Sequence, residues 1–247
     1  MRLLLFLLGP LLIVTMAGAQ EPPSSSPASG TGSVAAQRAE RAATLRDILG
    51  TIAKRDAQWQ TVRSAYVRDR MEQQRACRED LRRANRDAKV PTLVRCYRGS
   101  LTLEREFLRR EKDYVRSLVE ATEPRRNDVL VRSDQLTEAI GTLVFAFDSG
   151  VYDRQEDVLQ ARQRLQEKYR SPLSDARTLL RGDRLLSWYA LLLDEITDPP
   201  ACLPEGEATL RASLATDNAD VAGLLATLQA LPSCLDTAGT ASSVPAS

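Results

Sequence analysis

Apolar positions recur along almost the whole chain at spacings of three, four and seven, the period of a helix with one covered face. Leu45, Ile48, Ile52, Trp59, Val62 and Tyr66 form the first stripe, which continues less regularly through Cys77, Leu81, Ala84 and Ala88. Arg55 interrupts it where a continuous coiled-coil seam calls for an apolar residue. Pro91 lacks a backbone donor and pushes Val90 toward extended geometry, so the spacing predicts a first helix from Val34 into the mid-80s. A second, from Pro91 or Thr92 to about Thr122, carries Val94, Tyr97, Leu101, Leu108, Val115 and Leu118 and is closed by Pro124. A third carries Val129, Leu136, Ile140, Leu143, Val144 and Phe147 and stops at Ser149-Gly150.

Asp153 with Glu156 reads as a capping box opening a fourth helix through Tyr169. Ser171-Pro172 then reads as a fresh N-cap with proline at the first helical position. Two more helices follow, one with Leu173, Ala176, Leu179 and Leu180, the other from Leu185 to Ile196. The latter is apolar on most sides and is expected at the centre of the core. Leu210, Leu214, Val221, Leu224, Leu228 and Leu231 extend the pattern, and no alternating strand signal interrupts it. The expected fold is all-α. A long helical hairpin (34–122) leads into a helical bundle (123–198), and a small cysteine-closed helical segment (199–236) follows.

The flanks are different in kind. Met1-Arg2, an apolar run from Leu3 to Ala17, and Ala17-Gly18-Ala19 have the order of a secretory signal peptide over residues 1–19. The run is 15 residues, short of the ~20 needed to span a bilayer. Residues 20–33 read as a Pro/Ser/Gly-rich linker and 237–247 as a disordered tail. Thirty of the 34 basic residues are arginine, and no Asn-x-Ser/Thr acceptor occurs, which points to a bacterial, periplasmic or secreted protein.

That address changes how the four cysteines read, since an oxidising compartment implies two disulfides. Three pairings are open, and proximity favours Cys77–Cys96 and Cys202–Cys234. The first requires an antiparallel hairpin turning near Arg86, with Arg86 to Pro91 as loop. The second requires a chain reversal, placed at Thr216-Asp217-Asn218. The chain has no histidine, which excludes Ser-His-Asp and Cys-His nucleophile systems, His-ligated zinc and imidazole switches. With no Cys-x-x-Cys either, the cysteines read as structural, and no metal or cofactor is expected.

Net charge is +1, but its distribution is uneven. Val34 to Arg116 holds 21 basic and 12 acidic residues, while from Leu185 onward one basic residue faces eight acidic ones. Arg82, Arg83, Arg86, Lys89, Arg95 and Arg98 gather at the hairpin turn as a candidate surface for anions: acidic lipid, cell-wall polymer or an acidic protein. The competing reading is a solvated helix face partly neutralised by the acidic C-terminal third. Few aromatics are available for base stacking here, so nucleic acid is not an expected partner. Leu45, Ile52, Trp59 and Tyr66 form a candidate helix-packing face for a partner or a second copy.

Nucleophile-elbow, phosphate-loop, dinucleotide and calcium-loop motifs are all missing from the sequence. Carboxylates are numerous enough for the acid/base pair of a glycan enzyme, and Asp194-Glu195, after the most apolar stretch, is the candidate place for a buried carboxylate with a raised pKa, against a reading as polar residues closing a helix. Ala57-Gln58-Trp59, a cysteine farther along that helix, and Cys96-Tyr-Arg-Gly-Ser-Leu101-Thr102-Leu-Glu-Arg105 carry a partial resemblance over about residues 57–108. They resemble bacterial secreted lysozyme-inhibitor-type helical domains, which pair two cysteines across a helical hairpin. The resemblance implies a non-enzymatic binding role in the cell envelope and assigns no functional residue. The expected protein is an exported helical interaction or scaffold protein. A binder of anionic envelope ligands, or a lysozyme-inhibitor-like protein, is the first alternative.

Overall fold

The computed structural model describes residues 31–195, 202–215 and 223. The described elements are all helical: α1 (Thr31–Arg83), α2 (Lys89–Arg116), α3 (Glu123–Asp148), α4 (Gln155–Leu165), a π-helical turn (Gln166–Arg170), α5 (Ser171–Glu195) and α6 (Cys202–Ala215). The all-α expectation therefore holds. The signal peptide, the tail, the reversal at Thr216-Asp217-Asn218 and the Cys202–Cys234 bridge lie outside the described residues. Thr31 to Ser33, expected in the linker, belong to α1.

The chain divides into two units, Met1–Ala53 and Lys54–Ser247. In the first, the described part is the leading stretch of α1, where Ile52 is buried and Ile48 exposed. The Leu45 side chain lies outside what the structure describes.

The second unit opens with the expected antiparallel hairpin. Trp59 meets Tyr114, Tyr66 meets Phe107, and Cys77 is disulfide-bonded to Cys96, one continuous register along α1 and α2. The bridged Cα atoms are 5.5 Å apart, within the reach a disulfide requires. Asn85 shapes the turn: its Oδ1 accepts the Ala88 N–H at 2.9 Å. Pro91 does not delay α2. It sits in the first turn, where backbone donors have no intrahelical acceptor, so the missing N–H costs nothing there.

α2 stops at Arg116, earlier than expected. Short turns from Ser117 to Thr122 bury Leu118 and Ala121. Thr122 is extended (φ −65°, ψ 147°) and Pro124 opens α3 from its first turn. α3 runs back antiparallel to α2, with Lys112 on Asp134 and Arg98 on Asp148. Gly150 then turns the chain at φ 68°, a left-handed conformation that glycine adopts without strain.

The expected capping box at Asp153 does not form. Arg154 occupies the cap position with extended backbone, and its guanidinium binds Asp157 at 3.0 and 3.1 Å. Nor does Ser171-Pro172 restart the chain. α4 passes through the π turn directly into α5, and the Ser171 N–H reaches the Gln166 carbonyl. A proline ring collides with the carbonyl four residues earlier in a regular helix, and the wider turn just before Pro172 is where that collision is relieved.

Leu101, Leu108, Val129, Leu136, Ile140, Val158, Leu165, Leu173 and Leu180 make the main core, from α2, α3, α4 and the first half of α5. The stretch beginning at Leu185, expected at its centre, instead continues α5 without a break. There Tyr189 and Leu210 of α6 form a second, small cluster with Leu179, Leu185, Leu186 and Leu214. α6 packs on this half of α5 and Leu191 is exposed, so its all-round apolar character is not matched by all-round burial.

Candidate functional site

The six cations singled out at the hairpin turn are all exposed, and the structure sorts them into two groups. Arg83 pairs with Glu79 at 2.5 Å, Arg95 with Asp80 at 3.1 Å and Arg98 with Asp148 at 3.0 Å. Arg82, Arg86 and Lys89 make no ion pair among the described residues. Arg75 and Arg78, one and two turns earlier on α1, have no acidic partner there either; Arg78 donates to the Gln74 carbonyl. Five unpaired cations thus occupy residues 75–89, against one unpaired acid in that stretch, the exposed Asp87. Asp148 could not be matched to Arg98 from sequence, because the partners are 50 positions apart.

Trp59 and Tyr66, placed on a packing face for a partner or a second copy, are already used inside the chain. Trp59 stacks on Tyr114 with ring centroids 4.6 Å apart and tilts against Phe107 at 5.3 Å. Tyr66 stacks on Phe107 at 4.3 Å. An aromatic seam therefore closes the hairpin from within, and the disulfide continues it toward the turn. Next to the disulfide, Gln73 Nε2 donates to the Cys96 carbonyl at 3.2 Å and lies over Gly99, where a Cβ would approach it to 2.3 Å.

At the other end of the seam lies a polar hub. Arg55 donates to the Ser117 carbonyl at 3.0 Å and grips both carboxylate oxygens of Glu120. Arg184, reaching from α5, donates to Glu120 at 2.9 Å, to the Tyr114 hydroxyl at 2.8 Å and to Asp56 at 2.8 Å. The Tyr114 hydroxyl in turn donates to Asp56 at 3.1 Å. Both guanidiniums lie 5.9 Å from the Tyr114 ring centroid, within cation–π range.

Two arginines face two carboxylates in the hub. Burial pushes Tyr114 up to about 12, with Asp56 adding to the shift and the arginines opposing it. Burial works against ionisation of Glu120, but hydrogen bonds from Arg55 and the charge of Arg184 outweigh it and hold the carboxyl below its usual range. A carboxylate held ionised between two guanidiniums is a fastener, not a proton carrier. The sequence did carry one signal for the hub: the Arg55 that interrupts the apolar stripe.

Two further pairs tie the π turn and α5 to α2 in parallel register, Arg170 to Glu104 and Arg177 to the buried Glu111. The side chains of Asp194 and Glu195 lie outside the described residues, so the candidate carboxylate pair has no described geometry. Among the described residues, no cluster of acids and cysteines is arranged to hold a metal ion. A shallow groove of about 370 Å³ between α2 and α3 is lined by Thr102, Arg105, Glu106, Arg109, Lys112 and Thr137, and Glu106 there is bound to Arg109 and Arg110. No family model, no curated protein and no solved structure matches the chain.

Proposed function

We propose that this chain is an exported, non-enzymatic interaction protein of the bacterial cell envelope that engages its partner through the cationic end of the α1–α2 hairpin. One observation carries the reading: Arg82, Arg86 and Lys89, with Arg75 and Arg78 beside them, are exposed and without an ion pair among the described residues, whereas nearby Arg83, Arg95 and Arg98 are held by the chain's own acids. Unpaired cations keep their full field for an anionic partner, and that field steers association. One feature supports the compartment: the Cys77–Cys96 disulfide suits an oxidising environment. No helix among the described residues is long and apolar enough to cross a membrane.

Two measurements test the reading. Fractionation of a bacterium expressing the full chain, with N-terminal sequencing, should find processed protein beginning at Gln20 outside the cytoplasm. Purified chain should sediment with isolated envelopes, and Arg82→Gln/Arg86→Gln/Lys89→Gln should remain in the supernatant. Equal sedimentation of the two proteins overturns the role of the hairpin end.

A further inference from the structure

The outer face of α1 adds an apolar element to the cationic end. Positions 67, 71, 75, 78 and 82 recur every three or four residues, which places Val67, Met71, Arg75, Arg78 and Arg82 along one side of the helix over about 22 Å. Val67 and Met71 are each 41% exposed. The opposite side is the one that meets α2, through Tyr66, Gln73 and Cys77. Past the end of α1, Arg86 and Lys89 continue the run of cations through the turn.

Resting on the reading above, we propose that the partner of this face is an anionic phospholipid surface, with the cations on lipid phosphates and Val67 and Met71 at the headgroup–acyl boundary. Guanidiniums bind phosphate oxygens bidentately, and each basic side chain near an anionic bilayer strengthens binding about fivefold. Long arginine stems lie along apolar surface while their heads stay with the phosphates. A dissolved polyanion satisfies the arginines equally well but gives Val67 and Met71 nothing. A bilayer meets both requirements along one helix side, as for helices that lie in the interface.

The test uses the processed, oxidised full chain with vesicles of phosphatidylcholine alone or with about 30% phosphatidylglycerol. Binding should need the anionic lipid and fall at least tenfold between about 0.1 M and about 0.5 M salt. Arg82→Gln/Arg86→Gln/Lys89→Gln should weaken it about a hundredfold, and Val67→Ser/Met71→Ser several-fold, with circular dichroism unchanged in both. Met71→Trp should blue-shift its emission on anionic vesicles and not with soluble polyphosphate. Absence of vesicle binding, equal binding to neutral vesicles, or an unshifted Met71→Trp signal overturns the lipid assignment. If envelopes still retain the wild-type chain in that case, the cationic end serves an acidic protein or polymer, and the broader reading survives. Loss of envelope retention as well ends both.

Discussion

A Cβ added at Gly206 falls 2.8 Å from the Tyr189 hydroxyl and 3.2 Å from Cζ, so α6 approaches α5 only because that position carries no side chain. Alanine there gains roughly 1 kcal/mol of helix propensity but overpacks against a buried ring at about 1–3 kcal/mol. Gly206→Ala should therefore lose about 1 kcal/mol in urea unfolding. Gly141, in the middle of α3, has nothing within 4 Å of its missing Cβ, and Gly141→Ala should gain about 0.5–1 kcal/mol. Glu120 supplies the pH dependence at this scale. Its carboxyl is depressed in the folded chain from an ordinary 4.5, so its contribution is whole above about 4.5 and drains as pH falls below that. The stability gap between wild type and Glu120→Gln should narrow through that acidic window; a gap constant with pH would contradict the assignment. Tyr114 has the opposite sign. Raised to about 12, it contributes fully below 10 and loses that contribution as pH climbs toward 12, which absorbance titration against Tyr114→Phe will read.

Helices as elements were legible from period alone, but their ends were not. Pro91 and Pro124 read as stops and Ser171-Pro172 as a fresh start, because a proline removes a donor and crowds the preceding turn. Pro91 and Pro124 instead lie in first turns that need no donor, and Pro172 follows a turn already widened to admit it. Pairing was hidden for a related reason. Sequence counts charges, whereas Arg98 is neutralised at the far end of the next helix and Arg184 closes a hub begun at Arg55. Both fastenings are open to measurement. Reducing Cys77–Cys96, which are 19 positions apart, should cost about 3 kcal/mol through the freedom returned to the unfolded chain. Arg184→Met leaves Glu120 with Arg55 alone and opens the Asp56–Tyr114 side, for a loss of about 3 kcal/mol. A cycle with Arg55→Met should show strong non-additivity, since both arginines serve one carboxylate.

For the second unit as a whole, burial is concentrated in one place. The main core draws on α2, α3, α4 and the first half of α5, while Tyr189 and Leu210 are the fully covered pair in the α5–α6 cluster. Amide exchange should follow that division, slowest in α2 and α3 and faster by at least an order of magnitude from Leu185 through α6. Uniform protection from Leu101 to Leu214 would mean that the small cluster unfolds only with the rest. Charge is sorted as well. The net +1 of the sequence conceals cations locked into hubs and pairs, which hold helices together, and exposed cations with no ion pair among the described residues, of which five follow one another at residues 75–89.

The π turn between α4 and α5 also fixes a length. It holds more residues per turn than the helices on either side, so it takes up one extra residue while the faces before and after it stay in step. Deleting one residue within Gln166–Arg170 therefore lets an ordinary helix run straight through with everything beyond kept on its present face, whereas inserting one more rotates it by about 100°. After such an insertion Leu165 would keep its seat, while Arg177 and Arg184 would swing away from Glu111 and Glu120 together. The interval from Leu165 to Leu173 thus absorbs the loss of one residue but not a gain, a tolerance that runs in one direction only.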